Sequence, residues 1–297
     1  MPIHPSSPGA IRGYPFIGRG NVSRPHLADE VLRSATTRGR KTVHDPSRLA
    51  PPRRRSLFVG STVPILAYHK VAEIPSGVRY NSNYVLPSQF AEQLAFLRRA
   101  RFQSITFAQY ESHRLTGAAL PRRPILITFD DGYRSNRDVA LPLLRRFGFS
   151  ATVFLVSDLI GRTNRWDADE IQEPLLSLDD VRAMQRAGID FQSHTCTHPR
   201  LTALTDADMF AELVESRRAL ESALNAPVSA IAYPWGECTP LVQCLAKAAG
   251  YRSGVTLRRR TNFAHTPLFE LRRIGVNHTT TLARFAWDLL RLRWRGD

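Results

Sequence analysis

The chain has 297 residues, 43% of them hydrophobic and 23% charged, which suffices to bury a full core as one large domain or two small ones. Its net charge of +15 at pH 7 attracts nucleic acid, anionic membranes or acidic glycans alike, but no zinc finger, basic heptad helix or basic strand with aromatics indicates specific nucleic-acid binding. No apolar run of eighteen residues predicts a membrane-spanning helix, and the three cysteines form neither a disulfide framework nor a CxxC pair.

Residues 1–60 differ in composition from the rest of the chain. They are rich in Pro, Gly, Ser and Arg, and their eleven basic and three acidic residues supply +8 of the net charge. Such a polar segment does not offset its ordering entropy, so we predict a disordered basic tail followed by one domain over residues 61–297. No signal peptide is recognisable, which favours a cytoplasmic or peripheral protein; a misassigned start codon would allow the cell envelope instead.

The predicted elements alternate between short apolar runs, typical of strands, and amphipathic stretches, typical of helices. The first predicted elements are a strand at 63–67, a helix capped by Ser88 with Phe90, Leu94 and Leu97 on one face, and strands at 104–107 and 125–129. They are followed by a helix at 136–147 that stops at Gly148, a strand at 151–156, and a helix that runs from a capping box at Ser177 and Asp180 to Gly188. The remaining elements are strands at 189–193, 230–233, 252–255 and 271–276, with helices at 206–224 and 239–249 between them.

A last helical pattern covers residues 281–295. It spaces Phe285, Leu289 and Leu292 on one face and intersperses arginines between them. This pattern predicts a helix packed on the core or rim, with contact to a membrane surface as the alternative.

Strands that are apolar on both faces and separated by helices of ten or more residues pair in parallel through right-handed crossovers. The sequence therefore predicts an α/β sheet or barrel. In such folds the loops at the carboxyl ends of the strands converge, and the chemistry gathers there. We expect polar clusters that directly follow strands to form the site.

The first such cluster is Thr128 to Tyr133, with the sequence TFDDGY. The adjacent carboxylates of Asp130 and Asp131 repel each other, and burying them is costly unless a cation or hydrogen-bond donors compensate. The alternative is ordinary turn chemistry, in which Gly132 takes a positive φ.

The second cluster is SHTCTHP, residues 193–199. Two histidines four residues apart share a face if the loop turns helically, and two neutral imidazoles with one carboxylate are a common open ligand set for Zn²⁺. His194, His198 and Asp131 therefore form a candidate metal site. Cys196 lies between the histidines but is explained equally well as a buried free thiol.

The third cluster is Tyr233-Pro234-Trp235-Gly236, which follows the strand at 230–233. Aromatic rings on either side of a proline could wall a groove in which a sugar stacks. The alternative is that Trp235 closes the barrel rim.

Together, TFDDGY, SHTCTHP and YPWG resemble the first three motifs of the polysaccharide deacetylases that share the NodB-homology domain, carbohydrate esterase family 4. PILAYHKV and SITFAQY resemble the branch that acts on poly-N-acetylglucosamine. The resemblance implies a distorted (β/α) barrel of about seven or eight parallel strands. It also implies metal-dependent removal of N-acetyl groups from a glycan containing N-acetylglucosamine.

The resemblance also assigns roles by position. Asp130 is the general base, and Asp131, His194 and His198 hold a divalent metal, foremost Zn²⁺ with Co²⁺ or Ni²⁺ as alternatives. The backbone N–H of Tyr133 binds the oxyanion. Tyr133 joins the third cluster, Tyr233, Pro234 and Trp235, as a substrate-binding residue.

Two departures from the family pattern affect the catalytic residues. The arginine that usually begins the third motif and orients the base is replaced by Ala232, so another group must tune Asp130, and Asp167 is one candidate. The late Leu-x-His motif that supplies the acid is only loosely matched at His278. We therefore expect His69, which follows a strand, to be the acid, with His278 as the alternative.

Two other functions stay open. Loss of the motif arginine would fit a degenerate member that binds glycans or organises a complex without turnover. Because fold and metal do not fix the substrate, a hydrolase of non-sugar amides is the other alternative. The sequence leaves the oligomeric state open.

Overall fold

The computed structural model describes residues 62–259 and 262–291. The predicted basic tail over residues 1–60, and Leu292 with the end of the last helical pattern, lie outside these residues.

The strands and helices are short and alternate along the chain. The strands are β1 Ile65–Tyr68, β2 Lys70–Val71, β3 Tyr84–Val85, β4 Gln103–Ser104, β5 Pro124–Phe129, β6 Thr152–Leu155, β7 Asp190–Ser193, β8 Ala230–Ala232, β9 Ser253–Val255 and β10 Ile274–Gly275. The helices are α1 Pro87–Arg99, α2 Phe107–Thr116, α3 Leu141–Phe147, α4 Leu178–Arg186, α5 Asp206–Leu224, α6 Pro240–Ala248 and α7 Leu282–Arg291. A π-helical turn, Asn136–Ala140, leads into α3.

Eight of the described strands form one curled parallel sheet in the order β10-β1-β5-β6-β7-β8-β9, with β4 paired to the start of β5. A parallel bridge between Val255 and Leu271 joins the end of β9 to the segment before β10, so the two edges of the sheet approach each other. This arrangement confirms the predicted distorted (β/α) barrel of seven or eight parallel strands.

The central strand β5 is apolar on both faces because both faces are covered. All six residues of β5 are buried, and the face of α1 that carries Phe90, Leu94 and Leu97 packs into the same core. Burying each such side chain contributes about 1.5–3 kcal/mol. Within the described residues, no helix is both long and apolar enough to cross a bilayer.

The strand predicted over residues 104–107 was wrong in extent. Only Gln103–Ser104 pairs with β5, and Phe107 begins α2. The cause is a capping box, in which the Thr106 hydroxyl accepts from the Gln109 N–H and the Gln109 side chain accepts from the Thr106 N–H. Helix α1 likewise begins two residues earlier than a cap at Ser88 predicts, at Pro87 after Leu86, because proline is favoured at the first helical position.

Candidate active site

The three polar clusters meet at the carboxyl edge of the sheet. Asp130 follows the last residue of β5, His194 follows β7, and Tyr233 follows β8. β6 lies between β5 and β7, and β8 pairs with β7. The parallel order therefore brings motifs that are about a hundred residues apart in the chain into one opening.

Asp131, His194 and His198 converge on one point. Their ligand atoms all lie within 4.8 Å of one another, and the three side chains are buried. Asp131 Oδ1 lies 3.4 Å from His194 Nε2 and 3.5 Å from His198 Nε2. The predicted metal-ligand set is therefore assembled in space.

The bonding around this group fits a divalent cation. Asp131 Oδ1 and His198 Nδ1 are buried without a hydrogen-bond partner among the described residues. His194 Nδ1 lies 2.8 Å from the Ala232 carbonyl oxygen, which assigns the proton to Nδ1 and leaves Nε2 free to bind a metal. Two imidazoles and one carboxylate are an open catalytic ligand set that leaves positions for water or substrate.

Strained backbone shapes the loops that hold these ligands. Asp131, Thr195 and His198 all have positive φ, between 65° and 73°. Gly132 also has a positive φ, of 76°, and a Cβ there would come within 2.6 Å of the Leu155 side chain. In the three non-glycine residues such conformations cost about 1–3 kcal/mol each and persist only where the surroundings impose them.

The electrostatics of the ligand group favour an ionised Asp131 beside a neutral His198. Burial alone would raise the pKa of Asp131, but the surrounding imidazoles hold it well below its usual range. Burial, followed by the neighbouring His194, lowers the pKa of His198 to about 3. His198 is therefore neutral at physiological pH, the state in which an imidazole binds a metal.

Asp130, the predicted base, is buried beside this group and paired with an arginine that sequence reasoning missed. Arg273 Nη1 and Nη2 donate to the two carboxylate oxygens at 2.7 Å each. Burial would raise the pKa of Asp130, but Arg273 and His194 outweigh it, so the pKa is lowered. Asp130 is thus held as a carboxylate.

Arg273 lies in the predicted strand 271–276, where a signal for it existed. Leu271 and Arg273 are two residues apart, so they share a face of the extended segment, and both are wholly buried. An arginine at an inward-facing strand position requires a buried partner. Asp167, the partner considered from sequence, lies instead near Asp131, where burial and the Asp131 charge raise its pKa.

The two candidate acids lie in different places. His69 Nε2 lies 3.9 Å from Asp130 Oδ2, with 21% of the side chain exposed to the opening. His278 Nδ1 lies 3.0 Å from the Asn81 carbonyl oxygen on the exterior. The structure brings His69, but not His278, beside Asp130.

The third cluster contributes one exposed ring. Trp235 is 42% exposed and lies 5.5 Å from the His198 ring, with the Arg200 guanidinium on it at 4.4 Å. Tyr233 and Pro234 are buried, so neither forms the groove wall that we expected. Tyr233 instead donates to the Phe269 carbonyl. A second ring, Trp166, stacks on His198 at 4.5 Å and was missed in the sequence.

Tyr133 and Cys196 lie next to the ligand group without joining it. The Tyr133 side chain is buried, with Lys70 Nζ 4.3 Å from the centre of its ring. Among the described residues, the Tyr133 N–H donates to no backbone carbonyl. Cys196 Sγ contacts the Glu212 carbonyl at 3.5 Å, away from the ligands.

A model of the polysaccharide deacetylase family matches residues 117–254. This range contains all three motifs. YxkH of Bacillus subtilis (strain 168), named as polysaccharide deacetylase-like, is 29% identical over 216 residues, which are 72% of this chain and 71% of that protein.

Two further similarities concern one sequence and one solved structure. The poly-β-1,6-N-acetyl-D-glucosamine N-deacetylase of Staphylococcus aureus (strain MRSA252) is 23% identical over 265 residues, 83% of this chain and 87% of that protein. The structure of the Streptococcus pyogenes deacetylase PplD in complex with acetate is similar with a TM-score of 0.69 and 25% identity, covering 77% of this chain and 99% of that one.

Proposed function

Because this chain carries a domain of the polysaccharide deacetylase family, we propose that it removes N-acetyl groups from a glycan containing N-acetylglucosamine and releases acetate. The enzyme class follows from the family: a hydrolase acting on carbon–nitrogen bonds other than peptide bonds. The observation that carries the proposal is the convergence of Asp131, His194 and His198 next to a second buried carboxylate, Asp130.

In this proposal Asp131, His194 and His198 hold a divalent cation. Zn²⁺ is the preferred ion, because one carboxylate and two imidazoles match its catalytic ligand sets, and Co²⁺ or Ni²⁺ are alternatives. A cation bound there supplies Lewis-acid polarisation of the acetamide carbonyl and lowers the pKa of water at the site.

The surrounding residues carry the proton transfers. Asp130 accepts the proton of the attacking water, whose oxygen bonds to the acetamide carbon. The backbone N–H of Tyr133 donates a hydrogen bond to the carbonyl oxygen as negative charge develops on it. His69 lies at the exposed side of Asp130 and protonates the amine nitrogen as the carbon–nitrogen bond breaks. The products are acetate and a free amino sugar.

Two aromatic rings beside the ligand group support a sugar as the substrate. Trp235 is exposed and Trp166 is partly exposed, and both lie against His198, where an apolar sugar face can stack. The name of the Staphylococcus aureus relative supports a polymer of N-acetylglucosamine. We also propose that residues 61–297 form one catalytic domain to which residues 1–60 are a basic appendage.

The direct test is release of acetate. Purified protein loaded with Zn²⁺ or Co²⁺ is expected to deacetylate oligomers of poly-β-1,6-N-acetylglucosamine or chito-oligosaccharides. Asp130→Asn should lower kcat by about 10²–10⁴-fold, the usual contribution of a general base, while the metal content stays at the wild-type level. Asp169→Asn is a matched control, since this carboxylate is 91% exposed.

The same experiment separates the alternatives. A metal-loaded protein that releases no acetate from any acetylated glycan contradicts the proposal. A cellular phenotype that survives Asp130→Asn indicates a glycan-binding or scaffolding member. Hydrolysis of cyclic amides but not of chitobiose indicates a non-sugar amidase on the same fold.

A further inference from the structure

Arg273 is a buried cation bonded to Asp130, and the resemblance assigns it no role. It is wholly buried, as is its partner Asp130 apart from 2% of its surface. A buried charge persists only when it is paired and hydrogen-bonded, so the two groups constrain each other. We propose that Arg273 is the positioning residue of Asp130 and takes over the task that the family pattern gives to an arginine at the place of Ala232. This inference rests on the proposed function, because it concerns the base of that reaction.

The contact between Arg273 and Asp130 fixes an orientation as well as a charge. Both terminal nitrogens donate at 2.7 Å, one to each carboxylate oxygen. A planar guanidinium and a planar carboxylate joined by two parallel bonds are nearly coplanar, whereas one bond would leave the carboxylate free to rotate. This pair of parallel hydrogen bonds, the Arg273 fork, therefore sets the plane of the Asp130 carboxylate.

Arg273 is itself held from three sides. Its Nε donates to the Thr256 carbonyl at 3.1 Å and its Nη1 to the Thr128 hydroxyl at 3.2 Å. The guanidinium lies 5.8 Å from the centre of the Phe154 ring. The Thr128 hydroxyl donates in turn to the Leu66 carbonyl at 2.6 Å. These contacts hold the Arg273 side chain in one position, and the guanidinium in turn holds the Asp130 carboxylate in one position.

The topology explains how an arginine outside the third motif reaches the base. Ala232 ends β8, on the far side of β6 and β7 from Asp130. Arg273 precedes β10, which pairs with β1, and β1 pairs with β5. The guanidinium thus approaches the base from the opposite edge of the curled sheet.

The fork leaves the base free for catalysis on one side. A carboxylate has about four acceptor positions, of which Arg273 uses one on each oxygen. Asp130 Oδ2 also lies 3.9 Å from His69, the residue exposed to the opening. A remaining lone pair on this oxygen can take the proton of the attacking water, and loss of the fork would turn it away.

The test compares Arg273→Ala, Arg273→Lys and Arg272→Ala in the metal-loaded protein. Arg272 is the matched control because it precedes Arg273 but is only partly buried and lies outside the pair. Arg273→Ala should lower kcat roughly 100-fold, as a misplaced catalytic group does, with KM and metal content unchanged. Free guanidinium should restore part of this activity.

The outcomes are distinguishable. If the wild type releases no acetate, the proposed function has failed and not the positioning role. If the wild type is active and Arg273→Ala equals Arg272→Ala, the inference is overturned. If Arg273→Ala does not fold, Arg273→Lys decides, because it keeps the charge and loses the fork: a fall in kcat alone supports the inference, whereas wild-type kcat overturns it. A loss of metal with raised KM would indicate a structural role and also overturn it.

Discussion

Buried carboxyl groups lie at both ends of the same parallel sheet, under opposite electrostatic conditions. At the carboxyl ends of the strands, cationic and imidazole neighbours lower the pKa of Asp130 and Asp131 against the effect of burial. At the amino ends, burial raises the pKa of Glu111 and Asp190, and their neighbours only partly offset it. The neighbours at the carboxyl ends therefore favour ionised carboxylates, whereas the neighbours at the amino ends do not overcome the effect of burial.

The amino-end acids serve the fold. Glu111 accepts from the Ser253 hydroxyl at 2.6 Å where β9 begins, and Asp190 accepts from Thr152 at 3.0 Å where β6 begins. Asp190 also accepts from Gln192, whose oxygen binds the first N–H groups of the β8 region. Burial of a carboxyl group therefore does not by itself indicate a site; the charge of its partners does.

The backbone repeats this contrast. Six non-glycine residues among those described have a positive φ, and four of them, Asp131, Thr195, His198 and Trp235, lie in the loops around the ligand group. Strain of this kind collects where function imposes a geometry. The carboxyl end gives up local stability for an arrangement that the amino end does not need.

The largest expected effect comes from removing a ligand. His194→Ala should reduce acetate release to the background rate and abolish the stabilisation by Zn²⁺, which for the wild type is about 2.7 kcal/mol at a hundredfold excess over Kd. Thermal unfolding with and without Zn²⁺ measures this. His113→Ala on α2 is the control, because its ring hydrogen-bonds the nearby Ala118 carbonyl oxygen at 2.7 Å and is not a member of the ligand group. Equal Zn²⁺ stabilisation of both variants would contradict the ligand assignment.

A smaller effect is expected from a pair of glycines. Gly236 has a φ of 70°, and a Cβ there would come within 2.8 Å of the Leu257 backbone nitrogen, whereas Gly188 has a φ of 89° and open space. Gly188→Ala should cost about 1–2 kcal/mol, the penalty of a left-handed conformation alone. Gly236→Ala should cost more and raise KM, because Trp235 must move. Urea unfolding and steady-state kinetics measure the difference between the two variants. Equal losses in the free energy of unfolding for Gly236→Ala and Gly188→Ala would show that the clash at Gly236 is relieved without cost.

The smallest expected effect is a pH dependence at the amino end. The pKa of Glu111 lies above its ordinary 4.5, so the folded state holds this proton more tightly than the unfolded chain. Its contribution to stability is full below pH 4.5 and is lost as the pH rises through the folded pKa. Glu111→Gln should therefore gain stability relative to the wild type between pH 4.5 and 7, as should Asp190→Asn. A difference in the free energy of unfolding between variant and wild type that narrows as the pH rises over this range would contradict the raised pKa values.

Local patterns predicted most of the fold and the ligands. The apolar run of β5 ends in Asp130, and the Ser177 capping box opens α4 where expected, because each depends on neighbours in the sequence. Helix α2 was missed since its first turn, Thr106 to Gln109, overlaps a strand-like apolar run. Trp166 and Arg273 were missed because their contacts depend on loop placement and strand order.

Arg273 shows the limit most clearly. It lies 143 residues from Asp130, and its inward-facing position in the predicted strand indicates a buried partner without indicating which one. The sheet order that joins β10 to β1 and β1 to β5 decides the contact. Under our proposal, Arg273 supplies the partner that the family pattern places at Ala232.

The separation of 143 residues between Asp130 and Arg273 also determines when their contact can form during translation. At roughly 5–20 residues per second, about 7–30 s separate the translation of Asp130 from that of its arginine. Over that interval the nascent chain contains both aspartates and then both histidines, while Arg273 has not yet been made. The paired hydrogen bonds between Arg273 and Asp130 therefore form only after the segment that leads into β10 has been synthesised.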